Sequence, residues 1–259
     1  MPQEESRFME PLQLAGRLIV ENGGETYRVE ETITRMGRAF GLEGVESFAI
    51  PSGVFVSYRR SDGSNETAVL RVHKGPTNLT RVDAVNEVSR QVEAGRLGRD
   101  EALARLRAIE QAPPAITPRM LVFAAAVSSG GFAVMFGGRW LEFILAFVAA
   151  GLTQLMSLYF QKRRLHGLVT VLAGSVLSAL IPMLFNALTG YCLVDATVAG
   201  ALMPLLPGLA MTNAVQDTMR GDIVSGLSHG INAILTAAMV AGGALVASSL
   251  LTLLMGGGV

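Results

Sequence analysis

The chain has 259 residues, 50% hydrophobic and 16% charged, with a formal net charge of zero. Those averages hide a division near Pro113-Pro114. Residues 1–115 carry 15 Lys/Arg and 17 Asp/Glu, whereas beyond them the bases are only Arg119, Arg139, Lys162, Arg163, Arg164 and Arg220, and the acids only Glu142, Asp195, Asp217 and Asp222. So few charges cannot cover a second water-soluble core, so the later part reads as membrane-embedded, and the balance gives no sign of nucleic-acid binding. A single cysteine, Cys192, excludes an intrachain disulfide, and no Cys/His cluster has metal-ligand spacing. His73, His166 and His229 are far apart and read as surface or interface residues. No cofactor is expected. Residues 1–11 are acidic and polar, without the basic flank and apolar run of a signal peptide.

In chain order, Pro11 opens a predicted helix to Glu21, and Asn22-Gly23-Gly24 ends it with residues that tolerate left-handed geometry. A second helix is expected over Glu25–Phe40, with Tyr27, Ile33, Met36 and Phe40 as its buried stripe. Val45–Ile50, Val54–Arg59 and Thr67–Val72 are short β-prone runs, and Ser61-Asp62-Gly63-Ser64 forms the turn between the last two. Helices near Thr80–Ala94 and Asp100–Glu110 follow, with Asp100 as the expected N-cap of the second. These elements make residues 1–115 a soluble α+β domain, and Gln111-Ala112-Pro113-Pro114 a stiff linker. Arg28 with Glu30, and Glu31 with Arg35, read as a solvated helix face.

Residues 116–259 contain five apolar stretches, near 118–136, 141–160, 168–188, 192–211 and 231–255, each close to or above the length that crosses a bilayer. The fold class expected is therefore an α-helical integral membrane protein of about five transmembrane helices with an N-terminal soluble α+β domain. Lys162-Arg163-Arg164 is the strongest basic cluster in a short loop, which places the end of the second span, and with it the N-terminal domain, in the cytoplasm, and the C-terminus outside.

The fourth stretch carries Pro204 and Pro207 followed by Gly208, a pattern that removes backbone donors and breaks a helix. Thr212, Asn213, Asp217, Arg220 and Asp222 come directly afterwards. One reading is a kinked helix end followed by a cytosolic loop with local ion pairs. The other is a polar site at the inner face of the membrane, where Asp217 and Asp222 meet an ammonium and Arg220 a carboxylate. Asp195 is expected to cap the start of this fourth helix.

Pro207-Gly208, Thr212-Asn213-Ala214, Asp217, Gly221-Asp222 and Ser225-Gly226-Leu227 together resemble the signature of the threonine/serine exporter family. The segment Gly23-Gly24-Glu25-Thr26-Tyr27-Arg28-Val29-Glu30 resembles that family's N-terminal motif, and the likeness covers essentially the whole chain. A departure is Gln216, where a basic residue is expected beside the aspartate. The resemblance implies export of a small polar metabolite, an amino acid such as threonine or serine or a dicarboxylate such as succinate. It places the substrate or coupling-ion residues at Pro207, Gly208, Thr212, Asn213, Asp217, Arg220 and Asp222, with Glu25, Tyr27, Arg28 and Glu30 as the motif of the cytoplasmic domain. Five spans after a soluble domain resemble the larger half of a split exporter in the inner membrane, which implies a small partner of about five helices, with a homo-oligomer as a further possibility. The absence of a nucleotide motif favours ion or proton coupling. The alternative is a membrane-anchored regulatory or scaffolding protein whose N-terminal domain binds a ligand or partner. An enzyme is not expected, since no nucleophile–base pair or metalloprotease motif is present.

Overall fold

The computed structural model of the chain describes residues 6–73, 75–113 and 116–255. Pro114 of the expected linker and the first five residues of the polar N-terminal stretch lie outside the described residues. The chain divides into two compact units, one formed by residues up to 113 together with Thr212–His229, the other by Ile116–Met211 with Gly230 onward.

In the first unit, α1 (Met9–Glu21) buries Leu12, Ala15, Leu18 and Ile19, residues three and four apart that share one helix face. Gly23 takes a left-handed φ of 81° to turn the chain into α2 (Thr26–Ala39). Val29, Ile33 and Met36 form the buried stripe of α2, while Tyr27 is only half-buried and Phe40 packs at the margin. The expected stripe is thus corrected at both ends, because Tyr27 faces a cleft and Phe40 falls after the helix.

The strands β1 (Glu43–Ile50), β2 (Gly53–Arg59) and β3 (Asn65–Arg71) form an antiparallel meander in sequence order. Its alternation puts Val54, Val56 and Tyr58 in the core and Phe55 on the other face, opposite Phe48 and Val69. α3 (Leu79–Glu93) starts where the Asn78 side chain accepts the Arg81 amide at 3.2 Å. α4 (Arg99–Gln111) starts from Gly98, whose amide donates to Glu101 at 3.1 Å. Asp100 is therefore not the N-cap; it sits in the first turn and pairs with Arg99 at 2.7 Å.

The second unit is helical: α5 (Pro118–Met135), α6 (Trp140–Lys162), α7 (Gly167–Thr189) and α8 (Val194–Leu202), followed by a 3₁₀ turn over Met203–Leu205. Two further helices, α9 (Gly208–Met219) and α10 (Ile223–Leu254), complete the chain. By length and composition four of these helices can cross a membrane. A fifth span is counted when Val194–Leu205 and Gly208–Met219, bent by 59° at their junction, are taken as one. The protein is thus a multi-pass membrane protein with a small three-stranded sheet in its N-terminal part.

As the prolines predict, the fourth stretch breaks at Leu206-Pro207; helix resumes at Gly208 and runs through Thr212–Asp217, so that these residues are helical and not a loop. The last helix begins eight residues before the expected 231, at Ile223, because Asp222 caps it. Asp195 lies in the first turn of α8 rather than at its cap. That role falls to Glu142, buried to 3% exposure, which accepts the Leu193 amide at 3.0 Å and the Arg139 amide at 2.7 Å. Close approach of α5 and α8 depends on Gly200, where a Cβ would stand 2.5 Å from the Ala133 nitrogen. The Thr153 and Ser178 hydroxyls link α6 to α7 at 2.8 Å.

Candidate functional site

The turn between α9 and α10 is set by Gly221 at a φ of 89°. Its amide donates to the Thr218 carbonyl at 3.1 Å and that of Asp222 to the Asp217 carbonyl at 2.9 Å, the paired bonds of a Schellman cap. Asp222 then caps the next helix, accepting the Ser225 amide at 3.1 Å. The glycine–aspartate pair thus ends one helix and begins another within two residues. This fixes Asp217 in the last turn of α9 and His229 in the second turn of α10 as neighbours.

Asp217 is 1% exposed and His229 5% exposed, and their Oδ2 and Nδ1 atoms are 3.0 Å apart. On α9, Asn213 and Asp217 share the one buried face at an i, i+4 spacing, while Thr212, Val215 and Met219 are exposed. The hydroxyl of Thr26, the first residue of α2, stands 3.2 Å from Asp217 Oδ1 and 3.1 Å from Asp222 Oδ2. A hydroxyl has one proton to donate, so it bonds one of the two carboxylates at a time, while Asp217 also meets His229 and Asp222 the Ser225 amide. Strand β1 closes the cluster from the side. The Ala49 amide donates to Glu30 Oε1 at 3.0 Å, and the Ser225 hydroxyl reaches the Ala49 carbonyl at 3.5 Å. Burial pushes the Glu30 carboxyl above its ordinary range; the Ala49 amide opposes this, and the charges of Asp222 and Asp217 add to it. A small void of about 10 Å³, on the scale of one water molecule, lies against Thr26, Gly23, Gly24 and His229.

Of the residues singled out in the sequence, Asp217, Asp222 and Glu30 meet in this cluster. Tyr27 and Arg220 lie beside it, the Arg220 guanidinium 3.5 Å from the centre of the Tyr27 ring. Arg220 forms no ion pair among the described residues, which corrects the alternative of local pairs with its aspartate neighbours. Arg28 pairs with Glu25 at 2.6 Å and not with Glu30, and Glu31 pairs with Arg35. Pro207 and Gly208 stand at the helix break in the other unit and add no group here. Thr26 and His229 were not singled out for a role. The sequence signal for His229 is its spacing, four residues after Ser225 and seven after Asp222, which puts all three on one helix face. Among the described residues no group of three or more His, Cys, Asp or Glu side chains is arranged to hold a metal ion.

A family model described as "Putative threonine/serine exporter" matches residues 12–251. The "Probable succinate transporter subunit YjjP" of Escherichia coli is 27% identical over 252 residues, covering 93% of this chain and 94% of that protein. The protein of the same name from Klebsiella aerogenes is 27% identical over 213 residues, 82% of this chain and 81% of its own length. The "Probable threonine/serine exporter" of Mycobacterium tuberculosis is 22% identical over 228 residues, 87% of this chain but 43% of that protein. No solved structure matches the chain at a significant level. With the family match extending over nearly all of its length, the chain belongs to the threonine/serine exporter family.

Proposed function

We propose that this protein is one subunit of a secondary exporter for a small polar metabolite, a threonine- or serine-type amino acid or a dicarboxylate such as succinate. The relative it covers almost end to end is named a transporter subunit, and it covers less than half of the mycobacterial exporter. That difference in coverage supports a split exporter completed by a small membrane partner of about five helices. Lys162-Arg163-Arg164 supports an orientation with the N-terminal α+β domain, residues 1–115, in the cytoplasm of a cell bounded by the inner membrane, and the C-terminus outside.

The observation that carries the mechanism is the single Thr26 hydroxyl shared by Asp217 and Asp222, with His229 on the far oxygen of Asp217. In this reading Asp217 and Asp222, with His229 and Thr26, hold the coupling proton, while Arg220 and Asn213 act on the polar metabolite. Loss or gain of that proton changes whether Thr26 is held by one aspartate or the other, and so the hold of α2 on the α9–α10 turn.

The experiment is export from cells loaded with labelled threonine or succinate, with the chain expressed alone and then with a small five-helix protein encoded beside it. Export that appears only with the partner is the expected result, and the label that leaves names the substrate class. No export of either label, with both proteins in the membrane, overturns the reading in favour of an anchored regulatory protein.

A further inference from the structure

Beside the buried cluster, the outer face of α2 borders an open cleft of about 810 Å³, whose lining includes Tyr27, Glu30, Thr34, Arg38 and Arg220. The volume falls in the range of small-molecule sites. Its charges are unequally engaged. Arg35 is held by Glu31 and, at 3.4 Å, by Glu93, so that its charge is compensated locally. Arg220 is flanked in sequence by Asp217 and Asp222, yet both aspartates are occupied: the first by His229 and Thr26, the second by Thr26 and the Ser225 amide. The guanidinium instead lies against the Tyr27 ring at 3.5 Å. Stacking holds the plane of an arginine while leaving its edge donors open for a planar anion, and a carboxylate is the ordinary partner.

One helical turn along α2 from Tyr27 is Glu30. One of its oxygens takes the Ala49 amide, and the other has no partner among the described residues. A guanidinium stacked on Tyr27 and a carboxylate one turn along the helix from that tyrosine offer partners for the two ends of an amino acid. They do not match a dicarboxylate, whose second charge would meet Glu30.

We propose that this cleft binds a small zwitterion, its carboxylate on the edge of Arg220 and its ammonium beside Glu30. The inference rests on the exporter reading for its expected ligand, an α-amino acid on the way to export, but the site itself is testable by binding alone. An ammonium at Glu30 offsets the repulsion from Asp217 and Asp222, so the site and the buried cluster respond to one another through Glu30.

The test is equilibrium binding of threonine, succinate and inorganic phosphate to the purified full-length chain in detergent. Threonine is expected to bind saturably, and Arg220→Gln to weaken it by about tenfold, the loss of one charge-assisted hydrogen-bonding partner. Tyr27→Phe, which keeps the ring, should bind as the parent does, whereas Tyr27→Leu should follow Arg220→Gln; this contrast separates a stacked arginine from a folding defect. Failure of the parent to bind threonine, a preference for succinate or phosphate, or equal threonine binding by Arg220→Gln overturns the proposal. Equal binding by Arg220→Gln alongside intact export would sink the cleft and leave the exporter reading standing. Threonine binding without export of any label would do the reverse.

Discussion

The two units bury polar groups to opposite ends. Among the membrane helices, Glu142 accepts two backbone amides that would otherwise be orphaned at helix starts, and Thr153, Ser178, Ser175 and Thr197 bond to one another, to Cys192 or to carbonyls four residues back. Donors and acceptors there are nearly matched, and Ser129 has the one buried side-chain oxygen or nitrogen without a partner among the described residues. In the unit containing the α9–α10 turn, two carboxylates, Asp217 and Asp222, share one hydroxyl donor, and their charges bear on a third carboxylate, Glu30. A matched network holds helices in place. An unmatched one has a chemical state still to be chosen, and that is the property a coupled transporter needs. On the proposed reading, the first set serves structure and the second serves transport.

The sharpest way to break that contrast is Asp217→Asn. It keeps the shape but removes the carboxylate facing His229, and it should lower export by on the order of 100-fold, the size of loss seen when a proton-transferring side chain is removed. Membrane levels, checked by immunoblot, should stay near those of the parent. A large effect of a different kind is expected at Gly200, where even a methyl group would meet the Ala133 backbone. Gly200→Val should cost about 3 kcal/mol of stability through overpacking, lowering the melting temperature in detergent and the amount of folded protein.

A smaller effect concerns pH. Because the folded protein holds the Glu30 carboxyl above its ordinary range, Glu30 adds stability at acid pH, and that contribution is lost as the pH rises through its folded value. The charges of Asp222 and Asp217 add to that shift, and Glu31, Arg35, Arg38 and Arg220 share its cleft. Glu30→Gln keeps the oxygen that accepts from Ala49. It should therefore melt at a higher temperature than the parent at neutral to alkaline pH and show no such gain at pH 4. A gain that is independent of pH would show that the charge of Glu30 is not what the site disfavours. The smallest effect should come from Thr153→Ala. Loss of its bond to Ser178 should cost about 0.6 kcal/mol, as for other hydrogen bonds between membrane helices, and leave export unchanged.

Much of this arrangement was legible in the residues. The scarcity of charge after residue 115 marked the membrane part, and the β-prone run Val54–Arg59 marked a strand. Pro207-Gly208 marked the break between α8 and α9. What lay beyond the sequence was the pairing of distant segments. Thr26 and Asp217 are 191 positions apart, and no local period links them. His229, just before the expected last span, read as a surface or interface residue because its partner is set by the Schellman turn at Gly221, a tertiary consequence of one glycine. Tyr27 fitted a buried helical stripe by period, but its ring serves as a platform for Arg220. Capping was misplaced for a more local reason: Glu101 and Asp100 are both good helix-start residues, and only geometry shows which one reaches back to the Gly98 amide.

The decisive measurement is export by cells co-expressing the chain and the proposed five-helix partner, compared between the parent, Asp217→Asn, His229→Gln and Thr153→Ala at matched membrane levels. Export lost in the first two variants and retained in the third is the result expected if the unmatched cluster does the work. Full export by both Asp217→Asn and His229→Gln would contradict the account and return those residues to a purely structural role.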